Sequence, residues 1–164
     1  ELHPTDFQLL QQEFANDRQV AVHHLDGYQG LKAFLPPQER RGLVLIDPAF
    51  ERRDETAHMV AGAQIAHKRW AHGLFVMWLP ITNRAAAADF YQRLERIGLR
   101  KILVTEICIR PPVTARQLNG SAMIIINPPW QLDKTLREVL PWLGRVLAIH
   151  GEEGSHRAEW LVAE

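Results

Sequence analysis

The apolar residues of this chain recur at two spacings, which predict helices alternating with strands. Steps of three and four from Ala87 to Ile97 predict a helix. It should begin after Asn83 and stop at Gly98. Further helices are predicted from Thr5, which would cap the first of them, to about Phe14, and at residues 28–35, 54–72 and 132–143.

Short extended runs separate these helices and predict the strands. Residues 42–46 form a near-continuous apolar run, which is typical of a central strand in a parallel sheet. Other strands are predicted at residues 19–25, 74–79, 101–109, 121–127 and 159–162. The turn pair Asp26-Gly27 ends the first of these strands.

This alternation predicts an α/β fold, a sheet with helices on both faces. Residues 101–109 and 121–127 follow each other without a helix, so they should pair antiparallel as a late hairpin. Such a hairpin departs from a simple dinucleotide-binding fold and matches the Rossmann-like sheet of class I methyltransferases, whose last strand is antiparallel. Residues 1–164 contain no linker or repeat, so a single domain is predicted.

Composition adds few constraints. The chain has 164 residues with 46% apolar content, enough for a sizeable core. It has no apolar run of the roughly 18 to 20 residues that cross a bilayer and no signal-peptide pattern, so we expect a cytoplasmic protein that does not enter membranes. The single cysteine, Cys108, lies in an apolar stretch and is predicted to be a core side chain.

The charge balance gives little support to nucleic-acid binding. The chain has 19 Lys and Arg and 19 Asp and Glu, whereas nucleic-acid enzymes usually carry a basic face. Local basic pairs remain at Arg40-Arg41, Arg52-Arg53, Lys68-Arg69 and Arg100-Lys101. Each pair, taken alone, is typical of a solvated surface.

Three acids follow predicted or expected strands, at the sheet edge where α/β folds bind ligands. Glu1 would follow a strand that precedes the chain, and we expect the chain to be a fragment because it begins abruptly without Met. A carboxylate there can accept both hydroxyls of a cofactor ribose. Asp26, with Gly27 beside it, can accept from an adenine amine, and Asp47 then faces the substrate. The alternatives are a solvated terminus at Glu1 and turns at Asp26 and Asp47.

Asp47-Pro48-Ala49-Phe50 carries the most specific chemistry. It offers an acceptor, a carbonyl on a rigid proline and an aromatic surface directly after an apolar strand. These three features suit an exocyclic amine on a flat heteroaromatic ring. The hypothesis is therefore methylation of an adenine amine, with Asp47, Pro48 and Phe50 as the catalytic residues.

A second tetrapeptide, Asn127-Pro128-Pro129-Trp130, also follows an apolar strand. Its strand belongs to the antiparallel hairpin, so its end should point away from the cofactor edge. We therefore favour Asp47 over Asn127 and interpret Pro128-Pro129 as a helix entry.

Histidines offer a competing chemistry, since His23-His24, His58, His67 and His72 could suggest a metal site. No His-Glu-x-x-His spacing is present, and a separation of five residues does not place two rings on one helix face. Surface or packed histidines are the favoured interpretation, and no metal is expected.

Six segments stand out as a set: ELHPTD at 1–6, DGY at 26–28, LPP at 35–37, RRGLVLIDP at 40–48, RKIL at 100–103 and NPPW at 127–130. Together they resemble the RlmJ-type 23S ribosomal RNA adenine-N6 methyltransferases. The resemblance covers essentially the whole chain and includes both tetrapeptides.

The resemblance implies a class I fold that uses S-adenosylmethionine to methylate one adenine of 23S ribosomal RNA, in a single strand or loop. By position, Glu1 would bind the cofactor ribose, Asp26 its adenine, and Asp47 would be catalytic. The family's N-terminal half, with its glycine-rich cofactor loop, is not in this chain, so the chain is expected to bind cofactor poorly alone. Ala49 and Phe50 replace the family's usual proline or tyrosine.

Two other functions remain open from the residues. The chain could be a non-catalytic module that binds RNA or protein. It could also belong to a nicotinamide-dependent dehydrogenase, because an acid that holds ribose serves that cofactor as well.

Overall fold

The computed structural model describes residues 1–39, 41–111, 117–149 and 154–163 as a mixed α/β fold. The helices of this part of the chain are α1 (Pro4–Glu13), α2 (Gly27–Phe34), α3 (Glu55–Arg69), α4 (Arg84–Arg96) and α5 (Leu132–Leu147). The strands are β1 (Leu43–Ile46), β2 (Leu74–Ile81), β3 (Ile102–Cys108), β4 (Gly120–Ile126) and β5 (Ser155–Val162).

The five strands form one sheet in the order β1-β2-β4-β3-β5. β1 and β2 are parallel. β4 runs antiparallel to both β2 and β3, so these two strands point the same way on either side of it. β5 is antiparallel to β3 at the far edge. The predicted hairpin of β3 and β4 is therefore confirmed, and β4 also separates β3 from β2.

Helices cover both faces of the sheet, as the alternation predicted. Alternate residues of the strands, such as Phe75 and Ile124, pack with Met59 of α3 and Phe90 of α4 in the larger apolar cluster. The opposite face holds a smaller cluster, which includes Leu103 and Ile125 against Leu132 and Leu136 of α5. Because side chains alternate along a strand, each central strand contributes to both clusters.

Local signals placed several helix ends correctly. The Asn83 side chain accepts from the backbone N–H of Ala86 at 2.8 Å and caps α4, while Gly98 adopts the left-handed conformation beyond its end. The predicted cap at Thr5 is wrong, because α1 begins at Pro4 and His3 occupies the N-cap position. Proline lacks an N–H and is well suited to the first helical position.

Residues 19–25 correct another prediction, since they do not form a strand. Two hydrogen bonds join the end of this segment to the first residue: Leu25 N–H donates to the Glu1 carbonyl at 3.2 Å, and the Glu1 amine donates to the His23 carbonyl at 3.0 Å. At its start, the N–H groups of Gln19 and Val20 donate to Asp17. A strand requires a neighbouring strand for its ladder, and β1 pairs only with β2 among the described strands.

β1 consequently lies at the edge of the sheet rather than at the predicted central position. Leu43 is 56% exposed and Leu45 is 58% exposed, although both belong to an apolar run that suggested a buried strand. Among the described strands, β1 has a neighbour on one side only.

Two further boundaries differ from prediction. α3 ends at Arg69 rather than near residue 72, and α5 continues through Pro141 to Leu147 instead of ending near residue 143. Cys108 is buried on β3, which confirms its predicted core position. Within the described residues, no helix combines the length and the apolar character that crossing a membrane requires.

Replacing Gly120 by alanine should destabilise the fold by about 1–3 kcal/mol, because the added methyl group overpacks the sheet. A Cβ at Gly120 would lie 2.3 Å from the Ile107 carbonyl oxygen and 2.6 Å from Cys108 Cα, and neither backbone atom can move without breaking the ladder. Urea denaturation measures the effect. Gly27→Ala is the control, since a Cβ there meets no atom within 4 Å, and equal midpoints for the two variants would refute this account.

Candidate active site

Asp47 lies directly after β1, at the edge of the sheet where the parallel strands β1 and β2 both end. Asp47 and Ala49 are exposed, whereas Pro48 is partly buried. The predicted acceptor is therefore accessible to a ligand at the carboxyl end of a strand, where α/β sheets bind their ligands.

Phe50 is held in an unusual backbone conformation. Its φ is 54°, in the left-handed region that aromatic residues rarely adopt. Its ring contacts the apolar core and meets Trp78 of β2 edge to face, with ring centroids 5.6 Å apart. Packing against β2 stabilises this conformation and fixes the ring beside the Asp47 loop.

The loop after Phe50 is connected to α2 through one buried acid. Glu55, in the first turn of α3, is buried, and its carboxylate accepts from the Tyr28 hydroxyl at 2.7 Å. Burial, and then the hydrogen bond to Glu55, raise the pKa of Tyr28, so the phenol remains a donor. This contact connects the Asp47 loop to the helix that follows Asp26.

Asp26 has a structural role that can coexist with the predicted one. Its Oδ1 accepts from the backbone N–H of Tyr28 at 2.8 Å and caps α2. A carboxylate at a helix N-terminus is favoured by the helix dipole and has a second oxygen for a ligand. Gly27 has open space around its Cα, where a Cβ would meet nothing within 4 Å.

Glu1 is exposed and folds back on its own backbone. Its Oε1 accepts from the N–H groups of Leu2 at 2.8 Å and His3 at 2.7 Å. The bond from His3 chiefly lowers the pKa of Glu1. Because Glu1 also bonds to residues 23 and 25, it lies beside the segment that leads into Asp26.

Asn127 lies at the opposite edge of the sheet from Asp47. β4 ends at Ile126, which pairs with Phe75 and Ile102 near the beginnings of β2 and β3. The Asn127 side chain donates to the carbonyls of Ala71 and Gly73 at 2.9 Å, and so holds the turn that precedes β2. The topological argument that placed the second tetrapeptide away from the ligand edge is confirmed.

His23 and His24, two of the histidines that could have suggested a metal site, pack against aromatic side chains. His24 stacks on Phe7 with centroids 4.7 Å apart, and His23 contacts Phe34 at 4.6 Å. Over residues 1–39, 41–111, 117–149 and 154–163, no group of three or more His, Cys, Asp or Glu could hold a metal ion.

Sequence reasoning missed a charged cluster around Glu106 of β3. Glu106 is only 3% exposed, and its Oε1 accepts from the Tyr91 hydroxyl at 2.6 Å and from Arg157 at 2.7 Å. Arg84 donates to the other oxygen, Oε2. The sequence feature that could have revealed this cluster is an acid within an apolar strand, on the same strand face as Ile102, Val104 and Cys108.

The electrostatics of this cluster favour the ionised acid. Burial alone raises the pKa of Glu106, but hydrogen bonds from Arg157, Tyr91 and Arg84 outweigh it, so the pKa lies below its usual 4.5. Burial and then the bond to Glu106 raise the pKa of Tyr91, which therefore stays a donor.

Comparison with known proteins shows extensive similarity. Residues 1–162 match the family model described as "RsmJ: Ribosomal RNA large subunit methyltransferase D, RlmJ". The chain is 41% identical to "Ribosomal RNA large subunit methyltransferase J" of Haemophilus influenzae and 42% identical to the protein of that name from Escherichia coli. Both alignments cover all of this chain and 58% of the relative, so the chain spans less than two thirds of these proteins.

A crystal structure of a Legionella pneumophila protein, assigned to the family DUF519, has the same fold. Its TM-score is 0.85 at 31% identity, and the match covers 98% of this chain and 58% of that one.

Glu106→Gln should lower the free energy of unfolding by on the order of 3 kcal/mol at neutral pH, because two arginines lose their shared buried anion. The pKa of Glu106 is lower in the folded protein than its usual 4.5, so the stabilisation exists above that pH and is lost as the pH falls below it. Urea denaturation from neutral pH to about pH 3 should therefore show a smaller loss of stability for the variant than for the wild type.

Glu159→Gln is the control for this measurement. Glu159 pairs with Arg157 at 3.3 Å but its side chain is 65% exposed, so the change should cost less than about 1 kcal/mol. Similar losses for the two variants would show that burial of Glu106 has no special energetic role.

Proposed function

The chain belongs to the RlmJ family of ribosomal RNA large subunit methyltransferases, and from this membership we propose that the protein methylates the N6 amine of an adenine in 23S ribosomal RNA. Membership confirms the resemblance drawn from the six sequence segments. The observation that carries the adenine-amine assignment is the position of Asp47: an exposed carboxylate after β1, at the ligand edge of the sheet and next to Pro48 and Phe50. The chain acts as part of a methyltransferase catalytic domain.

Asp47 and the Pro48 carbonyl orient the substrate. The target adenine leaves its stack, at a cost of a few kcal/mol that is smallest in a single strand or loop. Its amine then donates one hydrogen bond to the Asp47 carboxylate and one to the Pro48 carbonyl. With both N–H groups directed at acceptors, the nitrogen lone pair points toward the methyl donor. Positioning of this kind supplies much of the rate acceleration.

Phe50 provides the surface against which the flipped base lies. Its contact with Trp78 and the core supports this role, because a ring that is already fixed loses little conformational entropy when the base binds. Ala49 leaves the backbone φ angle after Pro48 less restricted than a second proline would. The packing of Phe50 compensates for that freedom.

S-Adenosylmethionine supplies an electrophilic methyl group to the reaction. The described residues fit part of this cofactor, since Glu1 and Asp26 each have one oxygen in the hydrogen bonds described above and a second oxygen that can accept from a ribose hydroxyl or an adenine amine. Gly27 leaves room for close approach. After methyl transfer the amine nitrogen gives up one proton, and Asp47 is placed to receive it.

The proposed substrate also indicates where the protein acts, and two alternative functions can be weighed against methyl transfer. A ribosomal RNA substrate implies action in the cytoplasm. Similarity to proteins named as methyltransferases favours methyl transfer over the dehydrogenase function, and a non-catalytic binding module remains an outcome of the following test.

Asp47→Ala in the full-length protein should reduce methyl transfer by at least about 100-fold, because the amine loses the acceptor that orients it. Affinity for S-adenosylmethionine should remain largely unchanged. Tritium transfer to unmodified 23S ribosomal RNA, with mapping of the labelled base, measures the first quantity, and calorimetry measures the second.

Asn127→Ala is the matched control, since it removes a similar side chain at the opposite edge. It should lower stability through loss of the bonds to Ala71 and Gly73 while leaving transfer near the wild-type rate. Loss of transfer in folded Asn127→Ala but not in Asp47→Ala would overturn the assignment. Absence of transfer by the wild type would favour the binding module.

A further inference from the structure

We infer that Arg84 and Arg157 form a phosphate-binding pair that holds the RNA strand beside the target adenine. This inference rests on the proposed function, because it concerns how the same substrate is held. Its ligand is the phosphodiester backbone of single-stranded RNA.

Glu106 fixes the two guanidinium groups in place. Arg84 lies in the first turn of α4 and Arg157 lies on β5, and each donates to a different oxygen of the Glu106 carboxylate. Arg157 also lies over the ring of Tyr91, 5.4 Å from its centroid. Side chains held in this way lose little rotamer freedom on binding, which is the main entropic cost of a surface arginine.

Both arginines keep part of their surface in solvent. The side chain of Arg84 is 45% exposed and that of Arg157 is 36% exposed, whereas that of Glu106 is 2% exposed. A guanidinium has five N–H donors. Arg84 donates to Glu106 and, at 3.7 Å, to Cys108 Sγ, while Arg157 donates to Glu106 and Glu159 and keeps its Nε buried. Each terminal nitrogen carries two hydrogens, so the exposed part of each guanidinium retains N–H groups that can donate to phosphate.

The charge of the cluster favours an anion. Two arginines share one buried carboxylate, so these three groups carry one excess positive charge, which Glu159 formally balances. The other acid of the cluster, Glu159, contacts Arg157 at 3.3 Å but is well exposed and therefore weakly bound. Arg84 also lies at the positive end of the α4 dipole, where a cation is disfavoured and a bound anion is favoured.

The location suits the strand that carries the target adenine. α4 follows β2 directly, so Arg84 lies at the same edge of the sheet as Asp47. Neighbouring strands are about 4.8 Å apart, so β3, which carries Glu106, lies about 14 Å from β1 across the sheet. A few nucleotides of single-stranded RNA span that distance. A strand with its adenine at Asp47 can therefore place a flanking phosphate at the arginine pair.

The test measures RNA affinity separately from chemistry. A fluorescent 23S ribosomal RNA fragment is titrated at several salt concentrations with the full-length wild type and three variants, Arg84→Gln, Arg157→Gln and Arg93→Gln. Methyl transfer by each protein is measured in parallel. Arg84→Gln and Arg157→Gln should each bind about tenfold more weakly, because each removes one charge-assisted hydrogen bond to phosphate. The slope of log affinity against log salt should fall by roughly 0.7 for each phosphate of the single strand that the variant no longer neutralises.

Arg93→Gln is the matched control, because Arg93 lies on the same helix, is 46% exposed and pairs only with Asp89 among the ion pairs described. Its affinity and salt slope should equal those of the wild type.

Arg84→Lys is a second variant for the case in which Arg84→Gln does not fold. The lysine retains an ion pair with Glu106 but lacks the forked donor set of arginine. It should also bind more weakly.

The outcomes separate this inference from the proposed function. If Arg84→Gln or Arg84→Lys binds RNA with the affinity and salt slope of the wild type and transfers methyl groups normally, the phosphate site is overturned. The proposed function would then remain intact. Equal losses in Arg93→Gln would also overturn the site, since the effect would then be general charge. Failure of the wild type to bind RNA would overturn both. Inorganic phosphate at fixed ionic strength should compete weakly, whereas single-stranded RNA should compete fully.

Discussion

The antiparallel strand β4 determines where both candidate motifs lie. It pairs along its whole length with β2 on one side and β3 on the other, so its direction is set by two hydrogen-bonded ladders. Because it runs against β2, its end lies at the edge where β2 begins, and Asn127 closes the turn there. Asp47 follows a strand parallel to β2 and lies at the other edge. Strand direction alone thus places two similar tetrapeptides at opposite edges of the sheet.

The polar residues near Asp47 have structural roles beside the functional roles that we propose for them. Asp26 caps α2, and the helix is connected to the start of α3 through the bond from Tyr28 to Glu55. The same contacts that stabilise the fold therefore position Asp26 and the Asp47 loop. Replacing Asp26 would therefore remove the cap of α2, whereas Asp47 is exposed.

Glu106 connects a second group of elements, three strands away from β1 in the order of the sheet. A single buried carboxylate connects α4, β3 and β5 through Arg84, Tyr91 and Arg157. Burying a charge is costly unless it is paired and hydrogen-bonded, and three donors meet that requirement here. The arrangement also holds two partly exposed arginine side chains in place, which is the basis of the phosphate site that we propose.

Most elements of the fold could be predicted from the sequence because their signals are local. The cap at Asn83, the stop at Gly98 and the apolar runs of β2 to β4 depend on neighbours within a few residues. The lack of a helical sequence pattern between the last two of these runs predicted their antiparallel pairing. The family and the position of Asp47 after a strand followed from such local segments. Only the tertiary structure showed that residues 19–25 form no strand, that β4 lies between β2 and β3, and that Phe50 adopts a positive φ against Trp78. The contacts of Glu106 with Arg84 and Arg157 could not be predicted either, because these arginines lie 22 and 51 positions away from it in the sequence. Strand partners and buried ion pairs depend on which distant segments meet, and no local periodicity encodes that.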